Sequence, residues 1–187
     1  IKGPLAIAHN GTICNADQIR DNLERRGSIF QSSMDTEAIV HLIASSEKIE
    51  LADRITDALL HLKGAYSLLI LTEDSMVAIR DPHGFRPLVL GKQKGAYVLA
   101  SETCAFDLIE AEYIREIKPG EMVIIDKNQG LKSYFPLGET KPAHCIFELI
   151  YFSRPDSNVF GYNVYQIRKA MGRELAREMP VEADMVI

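Results

Sequence analysis

Apolar positions change their period near residue 64, from helical spacing before it to short strand-like runs after it. The chain opens on an apolar run, Leu5-Ala6-Ile7-Ala8, which predicts a buried strand feeding a His9-Asn10-Gly11 turn. Behind Asn15, an N-cap candidate with Gln18 three residues on, Ile19 and Leu23 fall on one face and Gly27 is placed to end the helix. Asp35 opens a second helix over 35–45 with Ile39, Leu42 and Ile43 inward. A third runs over 51–62 on Ile55, Leu59 and Leu62, with Gly64 as its stop.

Strands follow. Residues 65–71 and 76–80 flank the polar turn Thr72-Glu73-Asp74-Ser75, and 88–91 and 96–100 flank Lys92-Gln93-Lys94-Gly95. After a short helix over 103–109, runs at 113–117, 122–126 and 131–135 continue an antiparallel set, with turns at 118–121 and 127–130. Helices gathered beside antiparallel sheets predict an α+β layered fold. Pro136 to Pro142 reads as a linker. Beyond it, 164–178 predicts an amphipathic helix stopped at Pro180, and 184–187 the first buried strand of a new sheet.

Composition excludes several classes. With 187 residues, 47% hydrophobic and 25% charged, the chain is ordinary globular material without a membrane-length apolar run. A net charge of −5 with scattered Lys and Arg lacks the footprint of a nucleic-acid binder, and no membrane association is expected. Cys14, Cys104 and Cys145 are odd in number, far apart and in no CxxC pair, so neither a disulfide framework nor a self-contained zinc site is expected, and a cytoplasmic location fits.

The chemistry concentrates in a few places. A tetrahedral intermediate of acyl transfer needs two donors converging on its oxyanion; an Asn side-chain amide followed by a Gly N–H can supply both, and Gly permits close approach of substrate. Taken alone, Asn10-Gly11 reads first as a hairpin turn between two strands, and other residues must decide. Asp35 reads as a helix N-cap, Glu37 as first-turn dipole support, and 81–87, with two prolines and a glycine, as a rigid turn. Cys14 and Cys104 read as core residues.

Read together, His9-Asn10-Gly11-Thr12-Ile13-Cys14-Asn15 and Ser32-Ser33-Met34-Asp35-Thr36-Glu37 resemble the glutaminase domain of class II glutamine amidotransferases, within the N-terminal-nucleophile hydrolases. The runs from Arg80 to Leu88, from Ala100 to Ala105 and above all Cys145-Ile146-Phe147-Glu148-Leu149-Ile150-Tyr151-Phe152-Ser153-Arg154-Pro155-Asp156-Ser157 are similar to the phosphoribosylpyrophosphate amidotransferase branch. The similarity runs essentially from end to end. Arg86-Pro87 sets the sequence apart from the asparagine synthetase and glucosamine-phosphate synthase branches and serves as an identifier of the branch.

The resemblance implies a partial αββα sandwich of antiparallel sheets with flanking helices, followed by the start of an α/β phosphoribosyltransferase domain. Residues 1–143 would be the later portion of the glutaminase domain, and 144–187 a connecting segment and the entry to the second domain. It assigns Asn10 and Gly11 to the oxyanion hole and Asp35 to the α-ammonium of glutamine, with the nucleophilic N-terminal Cys absent from this chain. His9 is expected to fix the turn by hydrogen bonding, because such enzymes use the nucleophile's own α-amino group as base.

Cys145 is similar to one of four ligands of a 4Fe-4S cluster carried by some members; a small buried hydrophobe is the other reading. The implied parent is a homo-oligomer that hydrolyses glutamine and passes ammonia to Mg-bound phosphoribosylpyrophosphate, releasing pyrophosphate and phosphoribosylamine in the first step of purine synthesis. By itself the chain is expected to be inactive. Two alternatives stay open: another class II amidotransferase, and a non-enzymatic paralogue or interaction module.

Overall fold

The computed structural model describes residues 3–138 and 140–185. Its first strand is longer than the apolar run that seeds it: β1 spans Ala6–Ile13 and carries Asn10 and Gly11 in its interior, not in a turn. It pairs antiparallel with β2, Gly64–Leu71, placing Asn10 opposite Ser67 and Gly11 opposite Tyr66. The expected hairpin turn at Asn10-Gly11 is therefore corrected. Gly11 and Gly64, at φ 149° and 142°, are glycines of close approach: a Cβ on Gly11 would collide with the Ala65 carbonyl, and one on Gly64 with the Thr12 carbonyl. Gly64 thus begins the second strand of the pair instead of only ending a helix.

Three helices follow β1, namely α1 (Ala16–Glu24), α2 (Asp35–Ser45) and α3 (Leu51–Leu59). Their apolar faces converge, with Ile19, Leu23, Ile39, Ile43, Ile55 and Leu59 buried against Leu68, Ile70, Val77 and Ile79 of the sheet. Asn15 stands at the start of α1 but does not cap it. Its amide instead donates to the His61 carbonyl and accepts from the Lys63 N–H, both at 2.9 Å, tying the entry of α1 to the end of α3.

The remaining strands are β3 (Ser75–Arg80), β4 (Val89–Gln93), β5 (Ala96–Ala100), β6 (Glu112–Glu116), β7 (Met122–Asp126) and β8 (Gly130–Tyr134), with the short helix α4 (Cys104–Ile109) between β5 and β6. They form two sheets, one of five strands ordered β1-β2-β3-β7-β8 and one of three ordered β5-β4-β6. A second core of Ala78, Leu88, Leu90, Ile117 and Val123 packs between them, so helices, first sheet and second sheet lie in successive layers. Among the described residues, both β1 and β5 are edge strands.

The linker expected around 136–142 has no regular structure in its described residues, and its end is tied to the turn at 81–86 through Ala143 N–H to the His83 carbonyl and Cys145 N–H to the Phe85 carbonyl. Next come a π-helical turn, Glu148–Phe152, a two-residue hairpin of β9 (Asn158–Val159) and β10 (Tyr162–Asn163), and α5 (Val164–Glu178), capped by the Asn163 side chain on the Gln166 N–H. They share a small core of Leu149, Val159 and Val164. The strand expected over 184–187 is not seen at 184 and 185, which are exposed and outside any strand, and 186 and 187 lie outside the described residues.

Candidate active site

The edge of β1 away from β2, unpaired among the described residues, organises the site. Alternate N–H groups of a strand point to opposite sides. Cys14 N–H turns toward the β2 side to reach the Lys63 carbonyl, while Ile13 N–H turns outward to Asp35 Oδ2 at 2.9 Å. Continued along the strand, the same alternation turns Gly11 N–H outward with Ile13. Gly11 and the Asp35 anchor are two residues apart, about 7 Å along the edge at strand rise, a span comparable with that between the α-nitrogen and the amide carbonyl of an extended glutamine. Asn10 stands beside Gly11, and its Nδ2 donates to Ser101 Oγ at 3.2 Å. One amide hydrogen is thereby used, and the other has no acceptor among the described residues.

Asp35 is the first residue of α2, not its cap: Met34 occupies the cap position, and no side-chain cap bond is made. The Asp35 carboxylate instead joins α2 to β1, with Oδ2 on Ile13 N–H and Oδ1 accepting from Thr36 Oγ1 at 3.3 Å. Burial pushes its carboxyl up, but the Ile13 N–H, His9 and Thr36 together outweigh burial and hold it below the usual range. An ionised, partly exposed carboxylate on this edge can receive a primary ammonium.

His9 makes no turn. Its side chain, 4% exposed, packs under the strand with Nδ1 3.5 Å from Asp35 Oδ1 and 3.2 Å from Thr36 Oγ1, and its Nε2 is buried without a partner. It fixes the Asp35–Thr36 end of α2, a tertiary role that the tripeptide alone does not reveal. Glu37 also does more than complement the helix dipole: it accepts from Gln31 N–H at 2.7 Å, Ser32 N–H at 2.8 Å and Ser32 Oγ at 2.6 Å, clamping the loop before α2. Led by the Ser32 hydroxyl and the Gln31 N–H, these bonds lower its pKa from 4.5 to about 2. Because the folded value lies below the unfolded one, the clamp is fully present above about pH 4.5 and is lost as pH falls through 2. An NMR titration of the Glu37 carboxyl carbon should give a midpoint near 2, and one above 4 would contradict the clamp.

These features coincide with a family match. Residues 2–107 match the glutamine amidotransferase domain family, more than half of the chain. The chain belongs to that family. It is 52% identical over 186 residues to amidophosphoribosyltransferase 2, chloroplastic, of Arabidopsis thaliana, covering 99% of this chain and 33% of that protein. It is likewise 52% identical over 184 residues to the amidophosphoribosyltransferase of Bacillus subtilis (strain 168), covering 98% of this chain and 38% of that protein. Among solved structures, the glutamine phosphoribosylpyrophosphate amidotransferase of B. subtilis complexed with ADP and GMP superposes with a TM-score of 0.94 at 51% identity, covering 98% of this chain and 40% of that one. The chain thus spans about a third of the length of the relatives it matches. Its layered antiparallel sheets and helices are the N-terminal-nucleophile hydrolase fold expected from the sequence.

Elsewhere in this amidotransferase domain, the rigid turn at 81–87 is built on the fully buried Asp81, whose carboxylate accepts from the N–H groups of His83 at 2.9 Å, Phe85 at 3.0 Å and Tyr66 at 3.3 Å. From that turn Arg86 reaches Glu148 Oε1 at 2.7 Å and lies over the Phe152 ring, so the branch identifier latches the π-helical turn to the sheets. Cys104 is buried as expected. Cys14 is exposed, contrary to its core assignment, because strand-end alternation turns it away from the buried Ile13. Cys145 is half-buried, and among the described residues no group of three or more His, Cys, Asp or Glu is placed to hold a metal. A 4Fe-4S cluster requires four thiolates, of which Cys145 would supply one and the other three would come from outside residues 1–187.

Proposed function

We propose that this chain forms the substrate-orienting part of a glutamine-hydrolysing site in an amidophosphoribosyltransferase of purine synthesis. The observation that carries the reading is the outer edge of β1, where Gly11 stands two residues from Ile13, whose N–H holds the Asp35 carboxylate, with Asn10 beside Gly11. Asp35 takes the α-ammonium of the substrate, and the side-chain amide then lies at Asn10 and Gly11. Attack on the amide carbon moves charge to its oxygen, where the Gly11 N–H and the second Nδ2 hydrogen of Asn10 receive it, each worth about 3 kcal/mol in the transition state. The nucleophile is a Cys outside these residues, acting with its own α-amino group as base.

The ammonia released then displaces pyrophosphate from phosphoribosylpyrophosphate on a phosphoribosyltransferase domain entered after residue 143, where Mg would be bound; both substrates are those named for the relatives. The assembly is a cytoplasmic homo-oligomer in this reading.

Asp35→Asn tests the ammonium role. The substitution keeps an acceptor for the Ile13 N–H but loses a charge-assisted bond present in ground and transition states alike, so KM for glutamine should rise roughly tenfold to a hundredfold with kcat within about threefold. An unchanged KM with only a lowered melting temperature would leave Asp35 a fold residue.

A further inference from the structure

Ser101 stands immediately after β5, and its hydroxyl meets the Asn10 amide of β1 across 91 positions of sequence. We propose that Ser101 is a positioning residue that sets the orientation of the Asn10 amide, an inference that rests on the reading of Asn10 as an oxyanion donor. The terminal torsion of an Asn side chain is broad, so an amide without a partner swings over a wide arc. Holding one Nδ2 hydrogen on Ser101 Oγ fixes the amide plane, and with it the direction of the second hydrogen. Donors preset in this way cost no reorganisation when charge develops.

Ser101 is itself held. The adjacent Glu102 accepts through Oε2 from the Arg154 N–H at 2.8 Å and from Ser157 Oγ at 2.7 Å, and Thr103 Oγ1 accepts from the Asn158 N–H at 2.8 Å. Residues 101–103 are therefore clamped between β1 and the segment 154–158. The fixed backbone makes the Ser101 hydroxyl a stationary reference for the amide, as a preorganised site requires.

The test uses the intact polypeptide that contains residues 1–187. Ser101→Ala should lower kcat for glutamine hydrolysis roughly three- to tenfold with KM unchanged, the loss of one net hydrogen bond. Ser101→Thr, which keeps the hydroxyl, should restore it, and the double variant Asn10→Ala/Ser101→Ala should lose no more than Asn10→Ala alone. Ammonia-dependent turnover should be equal in all variants. An unchanged kcat in Ser101→Ala, losses that multiply in the double variant, or a parallel fall in ammonia-dependent turnover would each overturn the proposal while leaving the Asn10 reading intact. An Asn10→Ala variant with unchanged kcat would instead overturn the oxyanion reading on which it rests.

Discussion

Arg80→Met is expected to destabilise the protein by about 3–5 kcal/mol, the cost of removing one member of a buried charged network. The guanidinium at the end of β3 is 1% exposed. Its Nε donates to the Arg86 carbonyl at 2.8 Å, Nη1 to the Ile117 carbonyl at 2.6 Å, and Nη2 to the Gly84 carbonyl at 3.1 Å, with Glu116 Oε2 at 3.4 Å from Nη1. Methionine fills much of the volume but leaves three carbonyls without their donors and Glu116 without its counter-charge. Unsatisfied buried acceptors cost more than the net worth of the bonds they lose. Since these carbonyls belong to the turn at 81–86 and to the strand exit at Ile117, both sheets lose a common brace. A thermal melt should show Tm lower on the order of 10 °C. A variant melting within a degree or two of the wild type would show that the network is not a source of stability.

The helices were legible because their apolar residues are one-sided: Ile19 with Leu23, Ile39 with Ile43, and Ile55 with Leu59 all point into the same core. Strand positions were legible for the same reason, but their order was not. β7 inserts beside β3, while β6 crosses to β4, and nothing local in residues 112–126 specifies a partner so distant in sequence. Asn10-Gly11 misled as a dipeptide because the feature that matters is the approach of β1 to β2, to which Gly64 contributes from the other side. The resemblance supplied Asn10, Gly11 and Asp35, but not the strand edge that aligns them. Ser101 carried no signal beyond belonging to a family-like run, since a serine after a strand has many uses. The π-helical turn at Glu148–Phe152, closed by the buried Glu148 with Ser153 and Arg86, has no periodic signature at all.

Asn10→Ala should give the largest functional effect. Removing a single side-chain donor from an oxyanion site lowers kcat by about 10²–10³. Because that donor acts on charge that exists only in the transition state, the affinity for glutamine should change little. The substitution also releases Ser101 Oγ, but Asn10 is only half-buried on an edge strand, so the fold should tolerate it. Asn10→Asp would add a negative charge where negative charge must develop, and should be at least as inactive. The decisive measurement is steady-state turnover of the Asn10→Ala variant of the intact polypeptide with glutamine and, separately, with ammonia as nitrogen donor. An oxyanion role for Asn10 predicts a glutamine-dependent kcat lower by about 10²–10³ with KM within about threefold and ammonia-dependent turnover unchanged. Equal loss of both activities, or an unchanged glutamine kcat, would contradict it.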